Sequence, residues 1–232
     1  MAIKDEIREQ RKKLKGQGFK AHISWFVTYY GAAAIAVITC IAVAVYFIFR
    51  IVTGKEQALG IVMINAGSFD LFSDEDAGTE IAEAFSEYAG IDTKKYNIYA
   101  DLNEHLDISE DMDYSTVERI FALSASNQLD VMTADPEVYA YYSDAQTFED
   151  LRDHFSEEEL SEFEKIGLLY YGDSKDEEGN VIESHVPVGI ICTDSNELKR
   201  AGAFKDSECI TGIIGGCPHP ETAREFIRFL IK

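Results

Sequence analysis

Apolar positions set the plan of the chain. From Ile23 to Phe49 the sequence ISWFVTYYGAAAIAVITCIAVAVYFIF holds 27 residues without a charge. At about 1.5 Å per helical residue the run reaches roughly 40 Å, more than a hydrocarbon core of about 30 Å. Trp25, Tyr29 and Tyr30 lie near one end, and Tyr46 and Phe47 near the other, where amphipathic rings favour the headgroup layer. The run is too long for the apolar core of a signal peptide and lacks a small-residue cleavage site at its C-terminal end. It predicts an uncleaved transmembrane helix over 23–52, between a polar tail (1–22) and a linker (53–57).

Past the linker the period changes. Ala58 to Ala66 is almost continuously apolar, as in a strand buried on both faces of a parallel sheet. A helix follows from about Ala77 to Tyr88, with Ile81, Ala84, Phe85 and Tyr88 on one face and Gly90 as its stop. Tyr96 to Leu102 alternates as a second strand. The spacing then predicts a helix over 116–127 with Val117, Ile120, Phe121 and Ser124 inward, opened by a capping box at Ser115–Glu118. Gln128 to Thr133 reads as a third strand. Asp135 and Pro136 open the next helix as cap and first-turn proline, and it carries Val138, Tyr139, Tyr141 and Tyr142. Ser156 caps an acidic helix. Leu168–Tyr171 and Val181–Cys192 flank an acidic, glycine-containing turn and predict a hairpin. Ile210–Gly215 is a last strand, and Pro220–Ile231 a closing helix with Ala223, Phe226, Ile227 and Leu230 inward. Strands alternating with helices predict a three-layer α/β domain over 58–232.

Charge sets the expected orientation. Residues 1–22 hold seven Lys or Arg against three Asp or Glu, a net of +4. The basic flank is expected in the cytoplasm, so the α/β domain is expected outside, where ATP-dependent and cytosolic metabolic chemistry are not. Residues 56–232 hold 39 acidic and 12 basic side chains, a net of −27. Such a surface repels nucleic acid and anionic lipid, and it favours cationic ligands or a basic partner.

Four cysteines do not make a disulfide scaffold. Cys40 lies in the apolar run. Cys192 and Cys209 each border a strand-like segment that would let them face one another. A Cys209–Cys217 pairing needs a reversal near Gly215 and Gly216, and three free thiols are the other possibility.

The order of motifs is familiar. Leu59–Asn65 is followed by Leu129-Asp-Val-Met-Thr-Ala-Asp135, then by Phe148-Glu-Asp-Leu151, Val186-Pro-Val-Gly-Ile-Ile191 and a last helix with Ala223, Phe226, Ile227 and Leu230. This resembles the extracytoplasmic solute-binding proteins of the type II periplasmic-binding-protein fold, and is most similar to small, membrane-anchored relatives in Gram-positive bacteria. The 177 residues after Lys55 are short for two lobes, so the resemblance implies a reduced lobe. It also implies a ligand site at the carboxyl ends of the strands, at Asn65, Gly67, Ser68, Thr133, Asp135 and Tyr139. Tyr142 is a further stacking residue.

Catalytic motifs are missing: the sequence holds no G-x-S-x-G, H-E-x-x-H or phosphate-binding P-loop pattern. Asp107 to Glu118 has oxygen side chains at the spacing of a calcium loop, but Met112 stands where that loop needs glycine. No metal site, cofactor or enzymatic activity is therefore expected. The expected function is membrane-anchored capture of a small polar or cationic solute, with a permease as a candidate membrane partner. The alternative is an interaction domain that docks a membrane or envelope protein.

Overall fold

The computed structural model describes residues 18–67, 75–109, 112, 114–176 and 178–232. The chain divides into two units, residues 1–54 and 55–232. In the first, helix α1 spans Phe19–Thr53. Its segment Tyr30–Phe49 is long and apolar enough to cross a membrane, and none of it is buried within the protein. Helix α1 starts four residues before the predicted apolar segment. The basic tail at 1–17 lies outside the described residues.

The second unit is a mixed α/β domain. In chain order it contains β1 (Glu56–Ile64), α2 (Glu75–Ala89), β2 (Tyr96–Glu104), α3 (Tyr114–Ala125), β3 (Val131–Ala134) and α4 (Pro136–Asp144). A 3-10 turn at Leu151–Asp153 leads to α5 (Glu157–Lys165), β4 (Leu169–Lys175), β5 (Val181–Ile191), α6 (Asn196–Ala201), β6 (Ile210–Ile213) and α7 (Pro220–Leu230). One six-stranded sheet has the order β2-β1-β3-β6-β5-β4. Strands β2, β1 and β3 run parallel, and each of the pairs β3–β6, β6–β5 and β5–β4 is antiparallel.

Helices cover both faces of the sheet because β1 is apolar on both. Leu59, Ile61 and Met63 pack with Ile81 and Phe85 of α2, Leu198 of α6, and Phe226, Ile227 and Leu230 of α7. Val62 and Ile64 face the other way, onto Ile120 of α3 and Val138, Tyr139 and Tyr142 of α4. Phe85 and Phe226 meet edge to face at 5.1 Å. The inward residues predicted for α7 are all buried. Gly60 is required where it stands: a Cβ there would run into the backbone carbonyl of Gln128.

Several local signals act as the sequence predicts. Asp135 caps α4 with Pro136 in its first turn. Ser156 and Glu159 form a capping box on α5. Gly90 follows the end of α2 at a φ of +66°. Helix α3 departs from expectation. It begins at Tyr114, so Ser115 lies inside its first turn. It is also rotated: Thr116 and Ile120 are buried, whereas Phe121 is 75% exposed. Two polar anchors set that rotation. The Thr116 hydroxyl donates to the His105 carbonyl at 2.9 Å, and Arg119 pairs with Asp101 and Glu104 of β2.

Candidate functional site

The sheet reverses its winding between β1 and β3, since β2 is added on one side of β1 and β3 on the other. In α/β sheets the crevice outside such a switch point is the usual ligand site. Here it is occupied by the protein's own side chains. Asn65 leaves β1 in the left-handed region at a φ of +59°, a conformation asparagine tolerates better than most residues. Its amide nitrogen donates to the Leu106 carbonyl at 2.8 Å and to the Asp135 carboxylate at 2.6 Å. Its amide oxygen accepts from the Leu106 backbone at 3.0 Å. The other Asp135 oxygen accepts from the amides of Glu137 and Val138. One step further along, the Ala66 carbonyl accepts from the Phe204 amide at 2.6 Å.

The remaining predicted site residues are placed differently. Thr133 is fully buried, and its hydroxyl donates to that of Thr211 at 2.9 Å across β3 and β6. Tyr139 is also fully buried. Its hydroxyl donates to the Val188 carbonyl at 2.8 Å, and its ring stacks on Phe148 at 4.2 Å. Burial holds the Tyr139 phenol far above its ordinary pKa, so it stays a neutral donor. Tyr142 is buried beside Tyr141, and burial raises its pKa as well. Gly67 is exposed. Ser68 lies outside the described residues, as do Glu110, Asp111 and Asp113 of the calcium-like stretch. The structure thus joins Asn65 to Asp135 and sets Thr133 and Tyr139 in the core.

A hollow of about 260 Å³ opens at the end of β5, lined by Leu168, Ile191, Cys192, Ser195, Leu230 and Lys232. It is smaller than the roughly 300–1,000 Å³ of typical small-molecule pockets, and none of the predicted site residues lines it. Among the described residues no group of three or more His, Cys, Asp or Glu is arranged to hold a metal ion.

Two polar clusters escaped the sequence reading. At the opposite end of the strands, Asp130 is fully buried just before β3. Its carboxylate accepts from the Gly60 amide at 2.7 Å and the His219 amide at 2.9 Å. The His219 ring and the Cys217 thiol each lie 3.1 Å from it. Carboxylate, imidazole and thiol here do not make an activated nucleophile. Burial first, and the adjoining Asp130 carboxylate second, push the Cys217 thiol well above its ordinary range. The sequence signal for it is an acid between the apolar Leu129 and Val131.

The second cluster fixes α3 to β2. The Arg119 guanidinium contacts Asp101, Glu104 and the Tyr99 hydroxyl. Partial burial works against its charge, but Glu104 and Asp101 outweigh that and raise its pKa. On the outward side of the same helix stand Tyr114 and Phe121, 60% and 75% exposed. Seven residues apart, they lie two turns from one another on one face. Comparison with protein-family models, with curated proteins and with solved structures gives no match.

Proposed function

We propose that the chain is a single-pass membrane protein whose amino-terminal flank is cytoplasmic, and that its outer α/β domain docks a partner protein of the membrane or envelope without catalysing a reaction. One observation carries this reading over solute capture. The polar groups at the ends of β1 and β3 are bonded to each other: Asn65 to Asp135 and Leu106, and Thr133 to Thr211. A solute would have to break those bonds before it made its own, and each exchange forfeits much of the gain. The residues after Gly54 form one compact unit, which suits a reduced type II solute-binding lobe.

The docking face we assign is the outward side of α3, with Tyr114 and Phe121 as anchors. Exposed aromatic rings of this kind are enriched in the energetic centres of protein interfaces. The net of −27 over residues 56–232 commits the partner to a basic surface around an apolar centre, and it disfavours an anionic lipid surface.

A thermal-shift screen of the full chain in detergent tests the choice. Amino acids, polyamines, sugars and short peptides should leave the transition unmoved. A solute that raises it, and stops doing so in an Asp135→Ala variant that still folds, would return the function to solute capture.

A further inference from the structure

We propose that Cys192 and Cys209 are a disulfide site: the two thiols join across β5 and β6 by exchange with an external disulfide and clamp the intervening segment onto the end of β1. The two Sγ atoms are 3.5 Å apart. Continuing the β5–β6 register one step past Ile191 and Ile210 sets Cys192 directly opposite Cys209, and the Cys192 amide donates to the Cys209 carbonyl at 3.0 Å. Opposed residues of an antiparallel pair have Cα atoms about 4.5–5.5 Å apart, within the 4.4–6.8 Å that a disulfide spans. The Cys209 amide turns instead to the Thr193 hydroxyl at 3.1 Å, which fixes the pair where the strands part. Cys217 is held away at Asp130, and Cys40 belongs to the other unit.

The chemistry balances without a metal. The thiolate of one cysteine attacks a low-molecular-weight or protein disulfide, displacing one thiol and leaving a mixed disulfide. The second cysteine attacks the first one's sulfur and displaces the other thiol. The pair loses two electrons and two protons, and the incoming disulfide leaves as two thiols. Both cysteines are buried in the folded domain. The hydrogen bond with Cys209, then burial, hold the Cys192 thiol far above its ordinary range, so the thiolate is scarce once β6 has docked. The bond therefore forms during folding and is shielded from reductants afterwards. Its effect falls on the segment 193–208, which includes α6 and carries Phe204, whose amide holds the Ala66 carbonyl beside Asn65. Formation in the cell rests on the outward placement of the domain, where disulfides persist.

The test is a thiol count on the full chain isolated from membranes, denatured, and alkylated without reductant. Two of the four cysteines should resist alkylation, and peptide mapping should link Cys192 to Cys209. Cys217→Ser should keep the link, and Cys192→Ser should abolish it. Reductant, reaching the bond as the domain opens on heating, should lower the melting temperature of the wild-type chain and leave that of Cys192→Ser unchanged. The proposal falls if the chain refolded with oxidised glutathione still presents four reactive thiols, or if Cys217 is found in the bridge. A bridge that forms with glutathione but is missing from the cellular protein supports the pairing and overturns the outward topology instead.

Discussion

The Asn65 amide and the Asp135 carboxylate meet at 2.6 Å, and so close the switch point between β1 and β3 from within. The contact ties the exit of β1 to the cap of α4. If this pair serves the fold, its removal must be felt in stability. Asn65→Ala loses the bonds to Leu106 and Asp135 and places alanine at a positive φ. It should cost about 1–3 kcal/mol. A double-mutant cycle with Asp135→Ala should give a coupling of about 0.5–3 kcal/mol in urea unfolding. Additive losses would mean that the two side chains do not cooperate.

Asp130 makes a second structural prediction. Asp130→Asn keeps the shape but turns one acceptor into a donor, which then faces either the Gly60 amide or the His219 amide. A loss of about 1–3 kcal/mol is expected from the buried donors left without partners. Cys217→Ser keeps a donor to the carboxylate and should cost under about 1 kcal/mol, as an ordinary substitution does. Equal losses in the two variants would contradict the role of Asp130 as the hub.

Two phenylalanines on different helices should behave oppositely. Phe226 is fully buried against Phe85, so Phe226→Ala should cost about 3–5 kcal/mol. Phe121 is largely exposed, so Phe121→Ala should stay within about 0.5 kcal/mol of wild type. Calorimetry or urea titration of both variants checks the rotation of α3.

Acid should weaken one tie between α5 and α7. Burial opposes ionisation of Glu159, but the Ser156 amide, the Arg228 guanidinium and the Ser156 hydroxyl together draw it below its ordinary value of 4.5. A carboxylate with a lowered folded pKa adds stability above its unfolded value and loses it as pH falls through the folded one. Wild type should therefore lose more stability than Glu159→Gln between neutral pH and about pH 3. Measuring the difference between the two cancels the general effect of discharging the acidic surface. Parallel pH profiles would remove Glu159 from the account.

The sequence made most elements legible because their signals are local. The double-sided apolar run of β1 shows that both faces are covered. Asp135-Pro136 and Ser156–Glu159 announce helix starts through bonds within a few residues. The inward residues of α7 recur at helical spacing. What stayed hidden depends on partners far along the chain. The facing of α3 is decided by Arg119 reaching Asp101 and Glu104, and by Thr116 reaching His105, so a periodicity count turned Phe121 the wrong way. Thr133 and Tyr139 look like strand-end and helix-start residues in the sequence. The antiparallel insertion of β6 beside β3 and the approach of Val188 bury them. That insertion joins residues about 80 apart in the chain, and no local pattern reports it.

The docking reading is tested most directly by a photo-reactive residue at position 121 in the full chain, in intact cells, with position 158 on α5 as the control. Both positions are exposed. An adduct with another protein is expected from position 121 and none from position 158. Protease added outside the cells should remove the adduct. Equal labelling from the two positions, or an adduct that external protease spares, would contradict it.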